Sequence, residues 1–443
     1  MEHHVQAVED HLIEGLNFKM RPGSSYVTER RNTTFFPSGG NSYSTSGVRV
    51  IRFNLTGTDS WLDPTTVKIA MDVVNDGAGA NNVLIPLTGA HGFFSRARVY
   101  AGGALLEDIF DFGRFSQMFS LLQPHRKRIN DFVEGFAGEK PYLANSSLSS
   151  WADSSSISAG GRKTVMFTPY LGIFLQDRYL PLRYCNIQIE LELAINANDP
   201  IQSVGAGVIA TGSDWGQAVL GITDGNASSA WHLENVRLMA DTITLDSELE
   251  NQFASHLLSG KNMPIQFSSW TTNVQSTGGN TDPTINITRS LTRLKDVFVT
   301  FYQSGTGSLD VTGASPLKNV NYFKHPAGTG LEFQMVIGNK VFPDFPLKNG
   351  DAEFFQSLKK SLGIQDSSFY DIDINPAQYA SNRFIIGMNL ERVINSSFTG
   401  FNTKAGDLVN LRFKNLNNIT HITTTLHYDV LLNIRDIGCE VLD

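Results

Sequence analysis

Residues 185–195 read CNIQIELELAI. Ile187, Ile189, Leu191 and Leu193 stand at alternate positions, and Gln188, Glu190 and Glu192 lie between them. A period of two is that of a β-strand with one dry face and one wet face. The dry face must rest on other apolar surface, and a second sheet is the simplest cover. Each buried Ile or Leu contributes about 1.5–3 kcal/mol, so the four contribute about 6–12 kcal/mol gross, before the entropy of ordering the chain. Ile189→Asp is therefore expected to wreck this unit. Glu190→Gln is expected to do little unless the wet face meets a neighbouring subunit.

The same period recurs along the chain. Upstream, strands are expected at 26–36, 47–57 and 65–75, the last with Val67, Ile69, Met71 and Val73 alternating. FSRARVY (94–100) and ALLEDIF (104–110) flank Ala101-Gly102-Gly103, a hairpin signal. DFGRFSQMFSLL (111–122) changes period, with Phe115, Met118, Phe119 and Leu122 at helical spacing. Strands return at 164–170, 187–193 and 231–246. The segment 247–260 reads as a short connecting helix, with Ser247 as its cap, Glu250 answering it and Gly260 ending it. The order of elements then starts again. Strands are expected at 264–272, 284–291 and 294–303, then a hairpin over 331–345 turning at Gly338-Asn339. A Phe-rich helix follows at 351–363, then strands at 383–388, 406–416 and 424–436. GDLVNLRFKNL (406–416) is the counterpart of the opening strand.

Repetition at this length means two copies of one domain rather than a solenoid. About eight antiparallel strands per copy predict an all-β chain of two tandem eight-stranded jelly-roll sandwiches with short connecting helices. The expected division is an N-terminal arm at 1–25, a first jelly roll at 26–246, a connector at 247–263 and a second jelly roll at 264–443. Within the arm, Val8, Leu12, Ile13 and Leu16 fall near one face of a short helix.

Composition narrows the function. Apolar residues make up 41% and charged residues 18%, enough for real cores. The 29 Phe and 39 Gly suit sheets and turns. A net charge of −8 and the lack of a long basic run argue against coating nucleic acid by electrostatics. The dense basic cluster His125-Arg126-Lys127-Arg128 reads as a solvated turn after a helix, or else as a contact to a partner or to packaged nucleic acid. Two cysteines, Cys185 and Cys439, make no disulfide framework and fit a reducing compartment. No apolar signal core follows Met1, and no run of about 18 apolar residues would span a membrane.

No catalytic set stands out, and the expectation is a non-enzyme with no catalytic, cofactor-binding or metal residues and no cofactor. There is no metal helix of the His-Glu-x-x-His type, no nucleophile elbow and no phosphate-binding loop. Gly205-Ala206-Gly207 begins a glycine pattern that never completes. Cys185 opens a strand with no His near it in sequence and reads as a core residue. His3-His4 is too short to be a metal site, and Glu107-Asp108, after a hairpin turn, reads as a solvated edge.

Tandem jelly rolls of this size, each with a Gly hairpin and an aromatic short helix, resemble the double jelly-roll major capsid proteins of large nucleocytoplasmic DNA viruses, virophages, polinton-like viruses and some tailless phages. FFSRARVYAGGALLEDIFDF, YLPLRYCNIQIELEL and WHLENVRLMADTITLD carry the resemblance, which spans roughly 26–436. It rests on element order more than on an invariant motif. It implies a homotrimer forming a pseudo-hexagonal capsomer of an icosahedral shell, made inside the host cell and located in the virion. It implies as partners the chain itself, neighbouring capsomers, and minor capsid and penton proteins, with no specific nucleic-acid binding. Segments 134–164 and 196–230 become outer-loop candidates. The arm 1–25 becomes an inner contact to a neighbour, a minor protein or an internal membrane.

Two other readings compete. A tandem jelly-roll lectin would stack sugars on exposed Trp61 and Trp151, but the missing signal peptide and scarce cysteine weigh against it. A glycan-processing enzyme would need two carboxylates about 5–10 Å apart in a cleft, and nothing in the sequence points to such a pair.

Overall fold

A computed structural model of the chain describes residues 26–443 except 58–59, 80–82, 85, 87, 137–156, 202–227, 229, 303–319, 321–322, 327–329, 349, 365–371, 373, 381–382, 392–398, 405–407 and 437. The expected arm, Trp151 and Gly205-Ala206-Gly207 lie outside the described residues, as does most of both outer-loop candidates.

The first half contains β1 (Val27–Phe35), β2 (Val50–Leu55), β3 (Lys68–Asn75), β4 (Phe94–Ala101), β5 (Ala104–Phe110), β6 (Arg162–Phe167), β7 (Ile187–Leu193) and β8 (Trp231–Leu245). One sheet has the order β1-β8-β3-β6 and the other β2-β7-β4-β5, with every pair antiparallel. The second half contains β9 (Met263–Ser276), β10 (Thr284–Ile287), β11 (Leu294–Tyr302), β12 (Glu332–Ile337), β13 (Lys340–Leu347), β14 (Ile385–Asn389), β15 (Val409–Lys414) and β16 (His421–Arg435). Its sheets have the order β9-β16-β11-β14 and β10-β15-β12-β13, again antiparallel. Numbered within each half, both read 1-8-3-6 and 2-7-4-5. These are two tandem eight-stranded jelly rolls. The opening strand, β7, is the seventh of its half, and its sequence counterpart β15 is the seventh of the other.

The dry face of β7 rests where its period requires. Ile187, Ile189, Leu191 and Leu193 are buried, in one core with Ile69, Met71 and Val73 of β3 and Leu233 and Leu238 of β8. In the second half, Phe301 of β11 meets Phe413 of β15 edge to face at 5.7 Å, tying sheet to sheet. The hairpin between β4 and β5 turns at Gly102 and Gly103, whose φ values of 54° and 86° favour glycine.

The helices are α1 (Phe112–Leu121), α2 (His125–Glu134), α3 (Ser247–Leu258), α4 (Asp351–Ser361) and the single turn α5 (Pro376–Tyr379). Three expectations are corrected here. The basic cluster is not a solvated turn: it forms the first turn of α2, with Arg128 buried and lining the same cavity as His91. Ser247 is not the cap of α3, because Asp246 takes that place and accepts from the Glu248 N–H at 3.3 Å. Glu250 is thereby free to accept from Trp61 Nε1 at 2.9 Å and the Tyr184 hydroxyl at 3.0 Å, which docks α3 on the first half. Glu107 is not at a solvated edge. It is 1% exposed, because the second half covers the strand that carries it. A short final strand that the sequence pattern did not announce, β17 (Gly438–Leu442), pairs with β16.

Candidate functional site

The strand edges of the two jelly rolls decide what these sheets can join. The first edge to consider is already filled. β5, the fifth strand of the first half, meets β9, the first strand of the second half, in parallel at Asp108 and Thr271, so two sheets become one. Glu107 sits in this seam. Its carboxylate accepts from the Ser269 hydroxyl at 2.6 Å, the Gly172 N–H at 2.8 Å and the Ile173 N–H at 3.3 Å. Burial pushes its pKa up to about 7, against the opposing effect of those three donors. Gly172 belongs to this packing: a Cβ there would lie 2.0 Å from the Ser268 carbonyl oxygen and 2.9 Å from Glu107 Oε1.

The aromatic helix α1 seals the same seam from one end. Phe119 meets Phe298 of β11 at 5.5 Å and Trp270 of β9 at 5.6 Å, and Phe115 meets Trp270 at 5.9 Å. Trp270 in turn stacks on His427 at 5.4 Å. The buried Arg114 lies over the rings of Tyr302 and Phe323 at 5.0 and 4.8 Å. The helical period of 111–122 revealed a dry face, but nothing local says that the partner lies over 150 residues onward.

Among the described residues, the chain's other two edges of this type are open. β13, the counterpart of β5, pairs only with β12 among the described strands. It leaves Phe345 83% exposed, with Val341 also exposed. β1, the counterpart of β9, pairs only with β8 among the described strands. It is flanked by Tyr26 and Phe36, 61% and 73% exposed. Large aromatics at unpaired strand edges mark surfaces that gain from being covered.

The wet face of β7 is less available than its period suggests. Glu190 is buried, with its carboxylate held by Arg52 of β2 at 2.7 Å and Arg98 of β4 at 3.0 Å, its register partners on either side. Glu192 lies 3.5 Å from Arg49, and Gln188 donates to Glu190 at 3.3 Å. Arg96 makes a two-pronged contact to Asp108 at 2.8 and 2.7 Å. These carboxylates are satisfied inside the sheet. Alternation alone cannot see this, because the cations come from neighbouring strands.

The remaining candidates fall apart. Trp61 is buried rather than exposed, so it presents no sugar platform. Cys185 is buried without a His partner in hydrogen-bond reach among the described residues; its neighbour is Cys439. Among the described residues, no group of three or more His, Cys, Asp or Glu is placed to hold a metal ion. No helix of the described residues is long and apolar enough to cross a membrane.

No protein-family model matches the sequence, and comparison with curated proteins gives no match. Solved structures do match. A chain of the Sputnik virophage structure aligns with a TM-score of 0.60 at 10% identity, covering 98% of this chain and 92% of that one. PBCV-1 VP54, fitted into a reconstruction of the virophage Sputnik, aligns with a TM-score of 0.58 at 11% identity, covering 96% and 98%. The Faustovirus major capsid protein gives 0.57 at 9%, covering 94% and 92%. The fold is the double jelly roll of viral major capsid proteins. The alignments cover both jelly rolls, not one half alone. At such identities it speaks for the double jelly roll as an architecture, and the residues of the seam and edges carry the rest of the argument.

Proposed function

We propose that this double jelly-roll protein is the major capsid protein of an icosahedral DNA virus, and that it works as a homotrimeric, pseudo-hexagonal capsomer. One observation carries the reading. The chain joins β5 of one jelly roll to β9 of the next, and leaves the equivalent edges, β13 and β1, open at its two ends. If β13 of one copy meets β1 of the next as β5 meets β9, the contact is head-to-tail, and such contacts close into rings when the rotation permits. Three copies then present six similar jelly rolls around one axis. The aromatics Phe345, Tyr26 and Phe36 become buried in that arrangement.

On this reading the protein acts as structure, not as a catalyst. The division is 26–246 and 264–443 for the jelly rolls, with 247–263 between them. Neighbouring capsomers are its principal partners; minor and penton proteins complete the shell, and the arm 1–25 makes an inner contact. Negative-stain imaging of the purified protein tests the reading. Three-fold particles with a hexagonal outline are expected, and single two-lobed particles at all concentrations would refute it.

A further inference from the structure

The two cysteines of the chain lie 254 residues apart in sequence, yet their Sγ atoms are 2.8 Å apart. That is well inside the van der Waals contact of two sulfurs, though longer than the covalent distance of about 2.05 Å. Both are free thiols. Cys185 lies just before β7 in the first jelly roll, and Cys439 is in β17, the last strand of the chain. The surroundings are arranged around the pair. The Gly102 N–H donates to the Asn186 carbonyl at 2.8 Å, which fixes the backbone beside Cys185. Gly102 has a φ of 54°, and a Cβ there would come within 2.9 Å of Cys439 Sγ. A glycine in the β4–β5 turn thus leaves the room that the second sulfur occupies.

We propose that Cys185 and Cys439 form an intrachain disulfide when the protein meets an oxidising medium, latching β17 of the second jelly roll onto the first. The use of such a latch rests on the capsid reading: a shell subunit folds in a reducing cell and then serves outside it. The oxidant is a low-molecular-weight disulfide such as oxidised glutathione. Cys439 is half-buried and reachable, while Cys185 is buried. Cys439, the more accessible of the two, is the thiol that a small disulfide reaches first. The Cys439 thiolate attacks one sulfur of the small disulfide, forming a mixed disulfide and releasing one thiolate, which takes up a proton. Cys185 then loses its proton and attacks Cys439 Sγ, displacing the second small thiol. Two protein thiols become one disulfide, and one small disulfide becomes two thiols.

The test uses the full chain in reduced and oxidised glutathione, with thiol alkylation and mass spectrometry. Two alkylatable thiols are expected before oxidation and none after it, with a loss of about 2 Da and a linked peptide pair containing Cys185 and Cys439. The melting temperature should rise by ~5 °C or more on oxidation, return on reduction, and stay unchanged in Cys439→Ser, a change at a half-buried site. Two thiols that stay alkylatable in the folded, oxidised sample, or two separate glutathione adducts, would overturn the proposal. Because the bond is read on the chain itself, its failure is separate from a failure to form capsomers, which particle imaging reports.

Discussion

The Ser269 hydroxyl of the second jelly roll donates a 2.6 Å hydrogen bond to the Glu107 carboxylate of the first. The burial of that carboxylate, which the bond only partly offsets, makes the seam between the jelly rolls sensitive to pH. Burial raises the Glu107 pKa to about 7, whereas an unfolded Glu titrates near 4.3. Between those values the folded chain keeps a proton that the unfolded chain has released. Glu107 therefore makes stability fall as pH rises from about 4.3 to about 7, by up to about 4 kcal/mol, with no further change above. Denaturant unfolding of wild type and Glu107→Gln at about pH 5 and about pH 8 checks it: wild type should lose stability relative to the variant on going up.

His91 works in the opposite direction. Burial is the main cause that lowers its pKa to about 4, with Arg128 adding to the effect and Gln117 opposing it. An unfolded His titrates near 6.5. Between about 4 and 6.5 the unfolded chain binds the extra proton, so His91 removes up to about 3 kcal/mol as pH falls through that window. In wild type the two slopes partly cancel. Each must be read against its own variant, and His91→Gln should show a gain relative to wild type as pH drops.

The core strand gives a pair of contrasting substitutions. Ile189→Asp places a carboxylate where the side chain is fully buried, and should cost more than about 4 kcal/mol or abolish folding. Glu190→Gln is not the quiet change that a wet face would allow. It leaves Arg52 and Arg98 without their shared anion and should cost about 1–2 kcal/mol. Thermal melts of both variants and wild type measure this.

The fold was legible in the sequence because its strands alternate cleanly and its hairpins turn on glycine, at Gly102-Gly103 and Gly338. What escaped was set by residues far apart. The exposure of Glu107 depends on Ser269, and that of Glu190 on Arg52 and Arg98. His125-Arg126-Lys127-Arg128 looked like a solvated turn because charge dominates it, yet it begins a helix that buries Arg128. β17 is too short to show a period, and the approach of Cys439 to Cys185 spans most of the chain.

Phe345→Asp separates assembly from folding. The residue is 83% exposed on an edge strand, so the isolated chain should change stability by no more than about 0.5 kcal/mol. Association should weaken by at least tenfold, because a charge replaces an aromatic that the proposed head-to-tail contact would bury. Sedimentation velocity across a dilution series, beside a thermal melt, reads both effects.

The mass of the purified protein in solution, by light scattering on a sizing column, tests the central claim most directly. The account predicts a stable species of three chains of 48.8 kDa each. A monomer that persists at high concentration and low salt would contradict it.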